Sequence, residues 1–233
     1  MQKPVHITAR IHARRDADKG KKYFEVELEP AEKVHYQPGQ YLNLVLEGQR
    51  RSYSITNLPQ ESNKSLWLLV ERIKGGIAST FLDNAPLGTS VEIVLPFGRL
   101  LPQEDKARHH VLVGTGSGIA PLKPIAEWIT RNYDHTVELL WGLREKENIF
   151  WEDWLEQMAK TYPNFRYQIT LSQPDPEWKG LSGRVTEHLQ RRGFEENTYF
   201  YLCGGKQMLD DVRTILKSKG VPATQILTEQ FHV

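Results

Sequence analysis

Val111-Leu112-Val113-Gly114-Thr115-Gly116-Ser117-Gly118-Ile119-Ala120-Pro121 is the stretch on which the fold turns. An apolar run feeds a glycine-rich turn, and a segment that reads as helix follows from Leu122 to Arg131. A strand entering a tight turn at a helix start leaves backbone N–H groups free where a phosphate can sit. Glycines let the backbone come close to an anion, and Pro121 suits a first helical turn because its missing N–H needs no partner. The turn is not a P-loop, because no Gly-Lys-Ser/Thr ending is present. It also departs from the Gly-x-Gly-x-x-Gly dinucleotide fingerprint: the third glycine comes one residue early, and the next strand runs into Gly142-Leu143-Arg144 instead of an acid. Taken alone, it is either a nucleotide-binding turn or a tight packing turn.

Moving outward, the two halves of the chain have different periodicities. Up to about residue 95, short β-rich runs alternate with turns: Val5 to Ile11, Tyr23 to Leu28, Tyr41 to Leu46, Ser52 to Ile55, Leu66 to Arg72 and Val91 to Val94. Pro38-Gly39, Glu47-Gly48 and Pro86-Leu87-Gly88 punctuate them, and one short helix is expected around Ala78 to Asn84. Such spacing predicts an antiparallel sandwich or barrel. Beyond about residue 109, strand candidates (His110 to Val113, Thr136 to Trp141, Phe165 to Leu171, Thr198 to Leu202, Gln225 to Gln230) alternate with helical stretches. Phe150, Trp151, Trp154, Leu155 and Met158 share one helical face, as do Met208, Leu209, Val212, Ile215 and Leu216. Strand–helix alternation predicts a parallel sheet with right-handed crossovers. The polar stretch Pro102 to Arg108 is the natural linker, which divides the chain into residues 1–103 and 104–233.

The 233 residues, 39% hydrophobic and 25% charged, are enough for packed cores and argue against global disorder. A net charge of +1 argues against nucleic acid as the main partner. Arg14, Arg15, Lys19, Lys21 and Lys22 form a local basic stretch that reads either as a solvated loop or as a docking patch for an acidic carrier protein. No apolar run is long enough to span a bilayer, and the first residues carry no signal-peptide pattern. One cysteine, Cys203, leaves no internal disulfide and no all-cysteine iron–sulfur cluster; no metal site is expected, and a cytoplasmic location is.

The first half carries its own anion signal. In Arg51-Ser52-Tyr53-Ser54, on a predicted strand, Arg51 and Tyr53 alternate to one face and Ser52 and Ser54 to the other. Gly75-Gly76-Ile77-Ala78-Ser79-Thr80 then opens the short helix with glycines and hydroxyl residues. As bare sequence these are surface and core residues on a strand and a helix cap. Alternatively, the helix start and the arginine hold a pyrophosphate between backbone amides and a guanidinium fork, with Tyr53 stacking on a flat ring. Two nucleotide sites facing each other suggest hydride transfer.

Arg51-Ser52-Tyr53-Ser54, Gly76 to Thr80, Gly114 to Pro121, Cys203-Gly204-Gly205 and Glu229-Gln230-Phe231 occur in the order seen in the ferredoxin–NADP reductase-like family. The chain resembles its stand-alone flavin reductases and oxygenase reductase components over essentially its whole length. The resemblance implies a six-stranded antiparallel β-barrel flavin domain followed by a five-stranded parallel-sheet α/β domain that binds NAD(P). It implies that Arg51 pairs with flavin phosphate, that Tyr53 packs on the flavin ring beside Ser52, and that Ser54 lies near the reacting flavin nitrogen. Ser79 and the amides of Gly76, Ile77, Ala78 and Thr80 would complete the phosphate site, with Leu69 and Val70 bordering the ring. Gly114, Thr115, Gly116 and Ser117 would bind the nicotinamide nucleotide, with Arg144 available to a 2′-phosphate. Cys203 and Gly204 would sit beside the nicotinamide, Glu229 near the reaction centre, and Phe231 over the flavin face. Without the family, Cys203 is equally a small buried strand-end residue, and Phe231 only an apolar residue.

The function implied is an NAD(P)H-dependent flavoprotein reductase. It would carry FAD, with FMN as the lesser option, and pass electrons to a separate acceptor: ferredoxin, flavodoxin, an oxygenase component or free flavin. Ser172-Gln173-Pro174-Asp175-Pro176 lacks the arginine that NADP-selective relatives place there, a lean toward NADH. The competing reading is a flavin- or nucleotide-binding docking subunit without turnover. A serine hydrolase built on Ser117 fails, because Gly116-Ser117-Gly118 is not a Gly-x-Ser-x-Gly elbow.

Overall fold

The computed structural model describes residues 3–59, 64–103 and 108–230. The first half is built from β1 (Val5–Asp16), β2 (Tyr23–Pro30), β3 (Tyr41–Leu46), β4 (Gln49–Ser54), β5 (Leu66–Glu71), α1 (Ile77–Asn84) and β6 (Ser90–Phe97). All six strands pair antiparallel in the order β4-β3-β6-β1-β2-β5. A bridge between Ile55 and Leu68 brings the chain leaving β4 to the opposite edge strand, so the sheet curls toward closure as a barrel. Alternating residues such as Ile7, Ala9 and Ile11 on β1 and Val91, Ile93 and Leu95 on β6 fill the interior, and Leu82 of α1 closes one end.

β1 runs five residues beyond the expected Ile11. The segment His12 to Asp16 lacks apolar alternation, so it does not read as strand. A register shift between Ile11 and Ala13 resets the ladder, and cross-strand charge then holds it, with Arg15 Nε donating to Glu25 Oε2 at 2.6 Å.

The second half follows with β7 (His109–Thr115), α2 (Ile119–Asn132), β8 (Thr136–Leu143), α3 (Glu152–Thr161), β9 (Phe165–Leu171), β10 (Leu181–Ser182), α4 (Val185–Gln190), β11 (Thr198–Gly204), α5 (Lys206–Ser218) and β12 (Ile226–Gln230). The strands are parallel in the order β10-β9-β8-β7-β11-β12. The five expected strands are joined at the edge by β10, a sixth strand of two residues. Two residues have no periodicity, which is why it is invisible in the sequence. Helix α2 begins three residues earlier than the expected Leu122, because a single 3-10 turn, Gly116–Gly118, feeds directly into it. On one sheet face Val137, Leu139 and Trp141 pack with α2 and α3; on the other, Val111, Val113 and Leu202 pack with α4 and α5.

The two halves share a core. Tyr23, Leu69 and Leu100 of the barrel half lie in the same buried cluster as Ile119, Ile125, Trp141 and Phe150 of the α/β half. Tyr23 and Phe150 rings meet with centroids 5.0 Å apart. Residues 104–107, where the sequence division falls, lie outside the described residues. No helix among the described residues is long and apolar enough to cross a membrane.

Candidate active site

The sheet order reverses at β7: later strands extend first through β8 and β9, then on the other side through β11 and β12. Ligands of open α/β sheets sit at such a switch point, beyond the carboxyl ends of the strands. The glycine turn lies there. Gly116 adopts φ +55°, and its carbonyl accepts a hydrogen bond from Trp141 Nε1 at 3.0 Å. A Cβ on Gly118 would stand 2.2 Å from the carbonyl oxygen of Cys203, so only glycine lets the turn pass β11 this closely. A Cβ on Gly204, at φ +158°, would stand 2.4 Å from Thr115 Oγ1.

A crevice of about 350 Å³ opens at this point, lined by Thr115, Gly116, Arg144, Ser172, Arg184 and Asp211 among others. Arg144 is exposed, and its Nε donates to Gln173 Oε1 at 2.9 Å. Ser117 lies on the 3-10 turn beside the crevice, half-buried, and is not in its lining. Lys22 and Tyr23, from the barrel half, complete the wall.

The barrel half presents a second constellation. Arg51 is exposed and, among the described residues, bonds locally to Gln49 Oε1 and the Arg50 carbonyl. Ser52 Oγ donates to Asn43 Oδ1 at 2.7 Å. Tyr53 packs against the barrel core, and burial pushes its hydroxyl up to about 12 against the opposing pull of Arg51. Ser54 is buried, and its Oγ has no hydrogen-bond partner among the described residues. Helix α1 starts at Gly76 with no side-chain cap and no acid in its first turn, so the amides of Ile77, Ala78 and Ser79 lack intrahelical partners. Ser79 Oγ turns back to the Gly76 carbonyl at 3.2 Å, Ala78 is buried, and Ile77 and Thr80 are exposed. On β5, Leu69 faces the shared core whereas Val70 points into the barrel, which leaves Val70 only its main chain for any ligand on this side.

The two constellations meet through β3 and β12. Ser54 and Tyr41 are direct cross-strand partners, so their side chains share a face. A Cβ on Gly98 would touch both the Tyr41 ring, at 3.0 Å, and Glu229 Oε2, at 3.5 Å. Glu229 is in register with Cys203, and Cys203 with Gly114. Burial raises the Glu229 carboxyl, opposed by the N–H of Arg99, and burial followed by the charge of Glu229 raises the Cys203 thiol, which therefore stays neutral. Ser54, Cys203 and Glu229 thus converge on one locus between the halves. Phe231 lies outside the described residues.

Tyr41, Tyr23 and Arg184 escaped the sequence reading, and Lys22 entered it only within the basic stretch read as a solvated loop or a docking patch. Tyr41 had a nearby signal, the Pro38-Gly39 turn that ends beside it; the others reach the site across the shared core or from the β10–α4 connection.

The residues present fit a flavin and a nicotinamide dinucleotide. The Ser54 hydroxyl is an orphaned buried donor at the point where the halves meet. Uncapped amides at the start of α1 and the glycine turn before α2 each offer an anion cradle. Among the described residues no group of three or more His, Cys, Asp or Glu is arranged to hold a metal ion.

Comparison with known proteins points to the same two cofactors. The model of an oxidoreductase FAD-binding domain matches residues 8–101, and that of an oxidoreductase NAD-binding domain matches residues 112–214. Reductase component 2 of terephthalate 1,2-dioxygenase from Comamonas sp. is 28% identical over 230 residues, covering 97% of this chain and 67% of that protein. Ferredoxin–NADP reductase B of Sorangium cellulosum is 30% identical over 209 residues, covering 84% of this chain and 85% of that protein. Among solved structures, the Amycolatopsis cytochrome P450 reductase GcoB superposes with a TM-score of 0.88 at 28% identity, over 98% of this chain and 70% of that one. The chain spans about two thirds of the length of the oxygenase reductase it matches.

Proposed function

The chain belongs to the ferredoxin–NADP reductase-like family of FAD- and NAD-binding oxidoreductases, and from that premise we propose that it draws electrons from NADH or NADPH through bound FAD to a separate acceptor. The acceptor in this reading is a ferredoxin, a flavodoxin, an oxygenase component or free flavin. The observation that carries it is the convergence of the orphaned Ser54 hydroxyl with Glu229 and Cys203 where the two halves meet. We take the division at 103/104, and a cytoplasmic location belongs to the same reading.

When bound, the two groups supply the chemistry: a hydride passes from nicotinamide to flavin, and electrons leave for the acceptor. The chain's residues bind, orient and exclude water. In this reading Arg51, Ser79 and the amides of Ile77, Ala78 and Ser79 would hold the flavin phosphates; the amides of Gly76 and Thr80, which the resemblance also implied, are taken by the carbonyls of Ile73 and Gly76. Ser52 and Tyr53 would flank the ring, and Leu69 with the main chain of Val70 would border it. The Ser54 hydroxyl, without a protein partner, is free to hydrogen-bond the ring. Thr115 and Gly116 on the crevice wall would hold the dinucleotide, with Gly114 and Ser117 beside them, and Arg144 on the same wall would be available to a 2′-phosphate. In the same reading the neutral Cys203 thiol and Gly204 would lie beside the nicotinamide; both are buried as the structure stands. Glu229, easier to protonate than an ordinary carboxylate, can keep a proton at this locus or release it as charge develops. Phe231 as cover for the flavin face belongs to the same reading.

The sequence lean toward NADH rests on Ser172 to Pro176; Arg144 and Arg184 on the crevice wall keep NADPH as a donor. The test is anaerobic reduction. A yellow preparation bleached by either nucleotide supports the reading, and the faster of the two names the donor. A protein that takes up no flavin overturns it. One that binds flavin but is never reduced is a docking subunit.

A further inference from the structure

Part of the nucleotide crevice belongs to the barrel half. The turn between β1 and β2 is tied down from both sides. Asp18 accepts hydrogen bonds from the backbone N–H of Tyr23 at 2.7 Å and of Lys22 at 3.2 Å. The N–H of Gly20 donates to the Glu147 carbonyl at 3.0 Å, and Asn148 Nδ2 donates to Asp18 Oδ2 at 3.2 Å. Fixed in this way, Lys22 and Tyr23 enter the lining of the same crevice as Thr115 and Gly116. The Tyr23 hydroxyl lies only 3.0 Å from where a Cβ on Gly116 would be, so the hairpin abuts the phosphate-type turn itself.

The Lys22 ammonium lies 3.2 Å from Glu71 Oε1 and 5.2 Å from the centroid of the Tyr23 ring. Burial acts to lower its pKa, but Tyr23 and Glu71 outweigh that, so it stays a cation. The crevice lining carries three cations, Lys22, Arg144 and Arg184, against one carboxylate, Asp211. A wall of that sign, with free amides at a glycine turn, suits a polyanion. A lysine fits this position because a compact ammonium on a flexible stem can leave one acidic partner and meet a phosphate without reorienting a planar fork.

We propose that Lys22 binds the pyrophosphate common to NAD and NADP, so that the substrate is gripped from the flavin half as well as by the Gly114–Gly118 turn. Glu71 is its resting partner and holds the ammonium toward the crevice while no phosphate is there. The inference rests on the reading of this crevice as the dinucleotide site.

The test is calorimetric titration of the flavin-loaded protein with NAD⁺ and NADP⁺ at several salt concentrations. Lys22→Gln is expected to weaken both by roughly five- to twentyfold and to flatten the salt dependence of affinity. Flavin content and melting temperature should stay at their original values, which a purely structural role would not allow. Lys22→Arg should restore most of the affinity. Lys21→Gln makes the same charge change on the same hairpin outside the lining, and should leave affinity and salt dependence as they were. Unaltered affinity in Lys22→Gln, or equal weakening in Lys21→Gln, overturns the proposal while leaving the crevice reading intact. If the unsubstituted protein binds neither dinucleotide, the crevice reading itself fails and the proposal falls with it.

Discussion

The indole of Trp151 donates its N–H to Glu25 Oε1 at 3.0 Å, and this bond crosses from the α/β half to the barrel half. Glu25 is buried, and its other oxygen is held by Arg15. Trp151 itself sits in the left-handed region at φ +58°, which a tryptophan adopts only where its surroundings impose it. Substituting Trp151→Phe should therefore leave a buried carboxylate oxygen unpaired and destabilise by about 1–3 kcal/mol. Urea unfolding measures the loss; a value within error of zero would show that the bond carries no weight.

Ser54→Ala separates two contributions of one hydroxyl. In the flavin-free protein it removes a buried group without a partner, so stability should hold or rise by up to about 1 kcal/mol. In the flavin-loaded protein, stopped-flow reduction should slow by roughly tenfold, the equivalent of one lost hydrogen bond. A variant that is less stable without flavin yet reduced at the original rate contradicts both assignments.

Gly118→Ala puts a Cβ 2.2 Å from the Cys203 carbonyl oxygen, a main-chain atom that cannot swing aside. Overpacking of this kind costs about 1–3 kcal/mol or more, and it pushes the glycine turn away from β11. Dinucleotide affinity should fall with stability. Gly205→Ala is the matched control, since nothing lies within 4 Å of the added methyl. Equal behaviour of the two would refute the steric account.

Arg51→Ala tests flavin retention. The guanidinium makes only local bonds to Gln49 and Arg50, so its removal should leave the melting temperature of the flavin-free protein unchanged. Flavin affinity should drop, seen as lost stoichiometry after gel filtration. Full retention excludes Arg51 from the phosphate site.

His110 sets a pH dependence away from the active site. It is buried, with Nε2 3.2 Å from His135 Nδ1 and Nδ1 3.2 Å from the Tyr201 hydroxyl. Burial first, then the neighbouring His135, lowers its pKa to about 3. The folded state refuses a proton that the unfolded chain accepts near its ordinary 6.5. This group is therefore neutral in its effect above that pH, and it withdraws stability as pH falls below it. The loss approaches about 1.4 kcal/mol per pH unit until the folded pKa is reached. His110→Gln cannot titrate, so between pH 6.5 and pH 5 it should lose about 1.6 kcal/mol less than the original protein. Identical pH profiles in urea unfolding would place the proton elsewhere.

Much of this was legible in the amino-acid order. The barrel strands were readable where one face is apolar, as in Val91 to Val94. The parallel strands were readable because helices with clear apolar faces separate them. What escaped lacks such patterning: the charged end of β1, held by Arg15 and Glu25, and the two residues of β10. Among site residues, motif order pointed to Ser54, Cys203 and Glu229. Lys22 and Tyr23 carry no motif, because their role comes from a hairpin that folds onto the other half of the chain. Sequence spacing contains nothing about that contact.

Because Tyr23, Leu69 and Leu100 are interred among side chains of the nucleotide half, the seam between the halves is not a hinge. Prising it open would wet aromatic and aliphatic surface that neither piece could cover by itself. Calorimetry should accordingly register one heat-absorption peak for the whole polypeptide.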